Sequence, residues 1–456
     1  MVVLPLALSW VAAAVLALLD GRQRRFAWLA VGALAASFAA MAVLAGLVFT
    51  DGPRQTVAGD WPLGVGIVLR ADALGVVFAL TSSGVLLAAL VYETLTGIRS
   101  RLFPALVLFL ATGLTGLFLT ADVFNFYVFF ELSMIAAYVL ACYGDDARQL
   151  GAGFIFAVVN LVGSFLFLLA VAGTYHVTGA LAMDVVAERI AQVDPSAVML
   201  IAVGFFVAFG VKLGLFPFHF WLPTVYASAT PGVAAMLSGA LANIGSYGLL
   251  RFGAGILPAE LRLGATVLLG LGTASIVYGA LQAVARRSAA EVLAYSAIGQ
   301  AGYVLIALAI GGPVGLGAAV VYSIANALNK ALLFLAVEVR GWLVGAAFAI
   351  GAFSVAGVPP TAGFFGKLEL FRAGVADDSV ALVALLFLGG ALSFLYMFQI
   401  YQHDFWRGER RGPDSPAAVR GVAVAVAALV VALGLWPEPL LAAGREAAAV
   451  LTEAAP

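Results

Sequence analysis

Charge is what this chain is short of. Only 10% of its 456 residues are Asp, Glu, Lys or Arg, where a soluble domain carries about 25%. With 64% of residues hydrophobic and a mean hydropathy of +1.09, an ordinary water-facing surface is excluded. The formal net charge of -1 offers no basic face to nucleic acid. A single cysteine, Cys142, excludes an intrachain disulfide and argues against a cysteine-rich metal site. The three histidines, His176, His219 and His403, are too scattered to suggest metal ligands. No motif for a flavin, haem or iron–sulfur cluster is present, so neither metal nor cofactor is expected. No signal peptide is expected either, because the first apolar segment is followed rather than preceded by positive charge, at Arg22, Arg24 and Arg25.

Lysine is scarcer still, with 3 against 20 arginines, and Lys212, Lys330 and Lys367 all lie inside apolar stretches. A charged amine at a bilayer centre costs about 2.5–3.5 kcal/mol or more, and normally faces a protein interior or a water-filled path. Lysine also changes its protonation readily when buried, whereas arginine does not. The lysines therefore point to proton handling inside a membrane.

Runs of about 20 apolar residues mark membrane-crossing helices. About fourteen are expected, near 4–19, 27–49, 71–95, 103–120, 122–142, 152–175, 197–216, 232–253, 263–285, 292–311, 314–338, 342–372, 379–403 and 417–437. The predicted fold is an all-α polytopic membrane protein forming one membrane domain over residues 1–456. Loops after odd-numbered spans hold most arginines, including Arg22, Arg24, Arg25, Arg99, Arg101, Arg148, Arg286, Arg287, Arg340, Arg407, Arg410, Arg411 and Arg420. The positive-inside rule places that side in the cytoplasm and both termini outside. The acidic connection from Asp51 to Asp60 falls on the outer side.

Two spans are interrupted by Gly and Pro, at Gly214–Pro217–Pro223 and at Gly357–Pro359–Pro360–Gly363. Broken helices survive in a membrane only where they line a cavity or are buried in protein. A matched pair of them is the best sequence pointer to a transport site built on repeats. The breaks fall in spans 7 and 12, five apart, as expected for two five-helix repeats, spans 4–8 (residues 103–253) and 9–13 (residues 263–403). Five being odd, the repeats would be inverted.

Glu131 lies well inside span 5, where a carboxylate must be protonated, paired or hydrated. Lys212 is its expected partner. A pair about 4 Å apart at an effective dielectric of about 20 is worth about 4 kcal/mol, and doubling the separation halves that. A carboxylate that swings towards and away from a buried lysine is thus a proton switch; the alternative is a fixed ion pair pinning two helices. Lys330 shares a helical face with Asn326 at i, i+4, near Tyr322, so a polar stripe crosses span 11. The alternative there is a lysine satisfied in a packed interior. Lys367 follows the second break, with snorkelling to an interface as its alternative. His219 is a candidate relay or a satisfied histidine. Glu93 and Asp122 are expected at interfaces.

At these residues the chain resembles the proton-translocating subunits shared by Mrp-type cation/proton antiporters and respiratory complex I. Asp122–Val–Phe–Asn–Phe–Tyr–Val–Phe–Phe–Glu131 and Leu215–Phe–Pro–Phe–His–Phe–Trp–Leu–Pro223 look most like the D-type member of the Mrp antiporters. Three further stretches agree with the wider family: Val292–Gln300, Leu328–Phe334 and Gly357–Lys367. The resemblance implies fourteen helices, inverted repeats with broken helices 7 and 12, and a hydrated polar axis. It implies a switching pair at Glu131 and Lys212, a central lysine at Lys330 and the lysine of the second half-channel at Lys367. Relatives often carry lysine where this chain has Asn243 and histidine where it has Asn326. An amide holds water but does not exchange a proton near neutral pH.

The expected function is a proton-translocating transporter subunit, not an enzyme, of a multisubunit cell-membrane antiporter for sodium or another monovalent cation. Its partners would be other membrane subunits. The alternatives are a proton-pumping subunit of a complex I-type oxidoreductase or membrane-bound hydrogenase, and a non-conducting scaffold of such a complex.

Overall fold

In lipid every backbone donor must be satisfied within its own segment, so an apolar chain crosses as helix. The computed structural model describes all residues except 58, 60, 62–65, 145, 407–412 and 454–456. Asp60, Arg407, Arg410 and Arg411 thus lie outside the described residues. Helices α1 (Leu4–Ala17), α2 (Arg24–Asp51), α3 (Ala73–Thr96), α4 (Phe103–Leu119), α5 (Val123–Ala141) and α6 (Ala147–Thr178) come first, with a hairpin of β1 (Arg54–Val57) and β2 (Val68–Ala71) after α2. The hairpin is antiparallel, with Arg54 opposite Ala71. A short helix, α7 (Met183–Ile190), precedes α8 (Pro195–Leu213) and α9 (Leu222–Ser228).

The next span, Pro231–Ala254, holds α10 (Pro231–Ala235) and α11 (Asn243–Gly248), with wider π-helical turns at Met236–Leu241 and Leu249–Ala254. Then come α12 (Pro258–Leu263), α13 (Ala265–Val284), α14 (Ala289–Ile310), α15 (Gly312–Val337), α16 (Trp342–Ala356), α17 (Ala362–Ala376), α18 (Val380–Ile400), α19 (Ala417–Leu435) and α20 (Glu438–Glu453). Among the described residues 11 helices are long and apolar enough to cross a membrane, and α1, α4 and α16 are shorter apolar helices.

The core is a wall of nearly all-buried helices, α10–α11, α14 and α15, ringed by helices such as α6, α13, α18 and α19 that bury one side only. The outer faces carry Phe154, Phe165, Leu169 and Phe387, which suit hydrocarbon rather than water. Both predicted breaks are present. α8 stops at Gly214 (φ 68) and α16 at Gly357 (φ 85), a left-handed conformation that L side chains rarely adopt. The chain then re-enters helix as α9 and as α17.

The two ends of the bundle sort as the charges do. Gly21 donates to the Arg101 carbonyl at 2.9 Å and the Arg99 amide to the Tyr143 hydroxyl at 2.8 Å, joining the arginine-rich turns. At the other end β2 bridges Thr120, and Asp122 bridges Ala182. There Arg70 pairs with Asp184 and holds that carboxyl below its usual range. Beyond the fourteen expected spans the structure adds the β1–β2 hairpin, the short helices α7 and α12, and α20, whose Leu440, Ala443, Ala447, Ala448 and Leu451 are buried. Its charged residues, Glu438, Arg445 and Glu446, break any continuous apolar run, while the apolar ones recur at helical spacing.

Candidate functional site

Lys212 sits in the last turn of α8, two residues before Gly214, and is 5% exposed. Its Nζ donates to the Asn160 carbonyl of α6 at 3.2 Å and to Ser164 Oγ at 3.5 Å, and lies 4.2 Å from the centre of the Phe130 ring. Glu131 is the next residue on α5, and its Oε1 is buried without a hydrogen-bond partner. No ion pair joins Glu131 to Lys212 among the described residues; the amine rests on neutral acceptors and an aromatic face. Beside it lies a cavity of about 10 Å³, walled by Met134, Phe156, Trp221, Leu237 and Leu241. That side is mostly apolar, with Asn160 and Tyr226 also in its wall, and has room for about one water.

Lys330 is fully buried at 0% exposure in the middle of α15. It donates to Ser296 Oγ at 3.0 Å and the Leu293 carbonyl at 3.3 Å, both on α14. Ser296 shares a 3.0 Å bond with the Tyr396 hydroxyl of α18, which also accepts from Gln300 Nε2 at 3.1 Å and donates to Ser393 Oγ at 3.0 Å. Tyr322 donates to Gln300 Oε1. Asn326, one turn from Lys330, stays apart, its Oδ1 buried without a partner. The stripe expected along one face of α15 is therefore joined across to α14 and α18 instead of along itself.

Lys367 lies in α17 with 4% exposure, so it does not snorkel to water. Its Nζ donates to the Ala356 carbonyl at 3.3 Å, at the C-terminal end of α16, where the helix dipole favours a cation. The Tyr303 ring centre is 5.0 Å away. A cavity of about 310 Å³ opens beside it, lined by Phe364, Phe371, Phe387 and Phe394. An ammonium has three donors, and each lysine meets only one or two oxygen acceptors here.

His219 occupies the single turn after the first break, buried, 4.4 Å from the Tyr278 ring centre, with Nδ1 unpartnered. Asn243 lies between the two π-helical stretches and donates to Ser82 Oγ at 3.0 Å and the Gly239 carbonyl at 3.2 Å. Among the described residues no three His, Cys, Asp or Glu side chains converge as metal ligands.

Two carboxylates sit differently from expectation or escaped it. Glu93, expected at an interface, is only 4% exposed and accepts from Thr230 Oγ1 at 2.9 Å, because the start of α10 packs over that end of α3. Asp72 caps α3 through the Gly75 amide at 2.8 Å, and Arg251 Nη2 lies 2.7 Å from both its oxygens. A pairing 179 residues apart leaves no local sequence signal. Asp122 caps α5 through the Asn125 amide at 2.6 Å. The hydroxyl that meets Lys330 was missed too, although Ser296 and Gln300, which both bond Tyr396, stand i, i+4 on one face of α14.

A transmembrane family described as NADH:quinone oxidoreductase/Mrp antiporter matches residues 120–393. The D-type component of the Na(+)/H(+) antiporter of Alkalihalophilus pseudofirmus is 31% identical over 421 residues, 86% of this chain and 85% of that one. The Mrp complex from Dietzia sp. DQ12-45-1b contains a chain 26% identical, with a TM-score of 0.91 over 99% of this chain and 97% of that one. A chain of respiratory complex I from Thermus thermophilus, 26% identical, gives 0.86 over 99% and 100%. The interval matched spans Glu131, both breaks and all three lysines, so the chain belongs to the NADH:quinone oxidoreductase/Mrp antiporter transmembrane family.

Proposed function

We propose that this membrane transporter subunit moves protons within a multisubunit Mrp-type antiporter, in exchange for sodium or a related monovalent cation. The cation is the one in the name of the Alkalihalophilus pseudofirmus relative. What carries the mechanism is the Lys212 site: a buried amine on neutral acceptors, with a carboxylate on α5 whose Oε1 is buried without a partner. That arrangement fits the separated position of a Glu131–Lys212 switch. When the two groups close to about 4 Å at an effective dielectric near 20, their attraction is about 4 kcal/mol and the lysine retains its proton; separation releases it. Lys330 then acts as the central proton station and Lys367 as that of the second half-channel.

Fourteen crossings in two inverted five-helix repeats, residues 103–253 and 263–403, are the organisation that best accounts for two breaks of like design. The arginine-rich end faces the cytoplasm, with both termini outside. His219, Asn243, Tyr322 and Asn326 support the polar axis, the two amides by holding water.

In vesicles containing the assembled complex, Glu131→Ala and Lys212→Ala should each lower proton flux at least tenfold without loss of assembly. Wild-type flux in both variants would sink the switch.

A further inference from the structure

Between Lys330 and Lys367 the direct path along α15 offers Asn326, an amide that no hydrogen bond joins to either lysine. A second path is hydrogen-bonded already. Lys330 Nζ donates to Ser296 Oγ, Ser296 meets the Tyr396 hydroxyl, and Tyr396 donates to Ser393 Oγ, each link 3.0 Å long. Ser393 lies one helical turn from Gly390, where a Cβ would stand 3.4 Å from Lys367 Nζ. Beside that gap the Tyr303 ring packs under Lys367, with its buried hydroxyl close to Ser393. Every member of the path is at most 4% exposed.

We propose that Ser296, Tyr396 and Ser393 form a hydroxyl relay that carries protons between Lys330 and Lys367, by way of α18 rather than of Asn326. A hydroxyl can accept one proton and release another, which an amide cannot do near neutral pH. Protons balance along the path. The Lys330 ammonium loses an N–H proton to Ser296 Oγ, Ser296 gives its own proton to Tyr396, and Tyr396 gives its own to Ser393. Ser393, which now donates to the Gly389 carbonyl at 2.7 Å, turns to pass its proton through one water to the Lys367 amine. One N–H bond is lost at Lys330, one forms at Lys367, and each hydroxyl keeps one O–H. Gln300 is a positioning residue: Tyr322 orients its amide, whose Nε2 donates to Tyr396, leaving the tyrosine proton to point at Ser393.

The relay rests on the proposed role of the lysines, so its test runs both. Proton flux is measured in vesicles holding equal amounts of assembled complex, with wild-type, Lys330→Ala, Lys367→Ala, Tyr396→Phe and Ser296→Ala chains. Tyr396→Phe keeps the ring and removes one oxygen. The relay predicts at least a tenfold fall for Tyr396→Phe and for Ser296→Ala, alongside loss of flux in both lysine variants. If the lysine variants lose flux while Tyr396→Phe and Ser296→Ala stay within twofold of wild type, the relay is overturned and the lysine reading stands. If the lysine variants keep their flux, both fall. Should Tyr396→Phe not assemble, Ser296→Ala breaks the same path on α14 and decides alone. A role in packing would lower the yield of assembled complex rather than the flux per complex.

Discussion

Single residues here are judged by what a buried charge finds around it. Lys212, Lys330 and Lys367 find carbonyls, hydroxyls and rings, whereas Arg251 finds a carboxylate. The distinction separates an amine held by neutral groups from a cation held by an opposite charge. Arg251 and Asp72 have side chains only 12% and 3% exposed. Removing one partner leaves the other charged and buried, at a cost of about 3–5 kcal/mol. Asp72→Ala is therefore expected to lower the apparent Tm and the yield of assembled complex, and Asp72→Ala with Arg251→Met to recover much of both. A double variant as unstable as the single one would remove the ion pair from the account. The lysines were legible as residues because three amines in apolar runs are anomalous wherever the helices go. Tyr396 was not, since a tyrosine in a hydrophobic helix is unremarkable until its hydroxyl is seen to accept and donate.

At the level of elements, the breaks position the outer two lysines. Lys212 closes α8 just before Gly214, and Lys367 donates back to the carbonyl of Ala356, the last residue of α16. Gly357 is needed twice over. Its φ of 85 suits glycine, and a Cβ there would stand 2.6 Å from Lys367 Cδ. Gly357→Ala should cost about 1–2 kcal/mol in backbone strain and push the lysine off its carbonyl. We expect flux to fall several-fold while the complex still assembles; unchanged flux would show that the break does not set the lysine's place. Both breaks could be read from Gly and Pro in apolar runs. Their extent could not: residues 222–228 resume as helix beyond the expected end of span 7, because packing against α6 and α14 satisfies a segment that proline and the preceding turn alone would release.

On the scale of the whole molecule, the two halves of the polar interior differ. Lys330 is tied by hydrogen bonds to the α18 side near Lys367, while Lys212 borders a small cavity whose walls are mostly apolar. α20 also belongs to this scale, since it packs along α15, the helix that carries Lys330, and reaches α3. Deleting residues 438–456 should uncover that side of α15 and lower the apparent Tm of the complex, measured by thermal aggregation; an unaltered Tm would make α20 dispensable to the fold. By itself the sequence determined the class of the protein, the sites of the breaks and the identity of the lysines. Hydrophobic length, backbone punctuation and the cost of a charge in lipid are properties of short stretches of chain. Only the tertiary structure decided that Glu131 and Lys212 form no ion pair among the described residues, that Glu93 and Asp72 are enclosed, and that Lys330 leans on α14 rather than on Asn326. Those facts depend on which helices meet, and residues up to 179 positions apart in the chain meet here at hydrogen-bond distance.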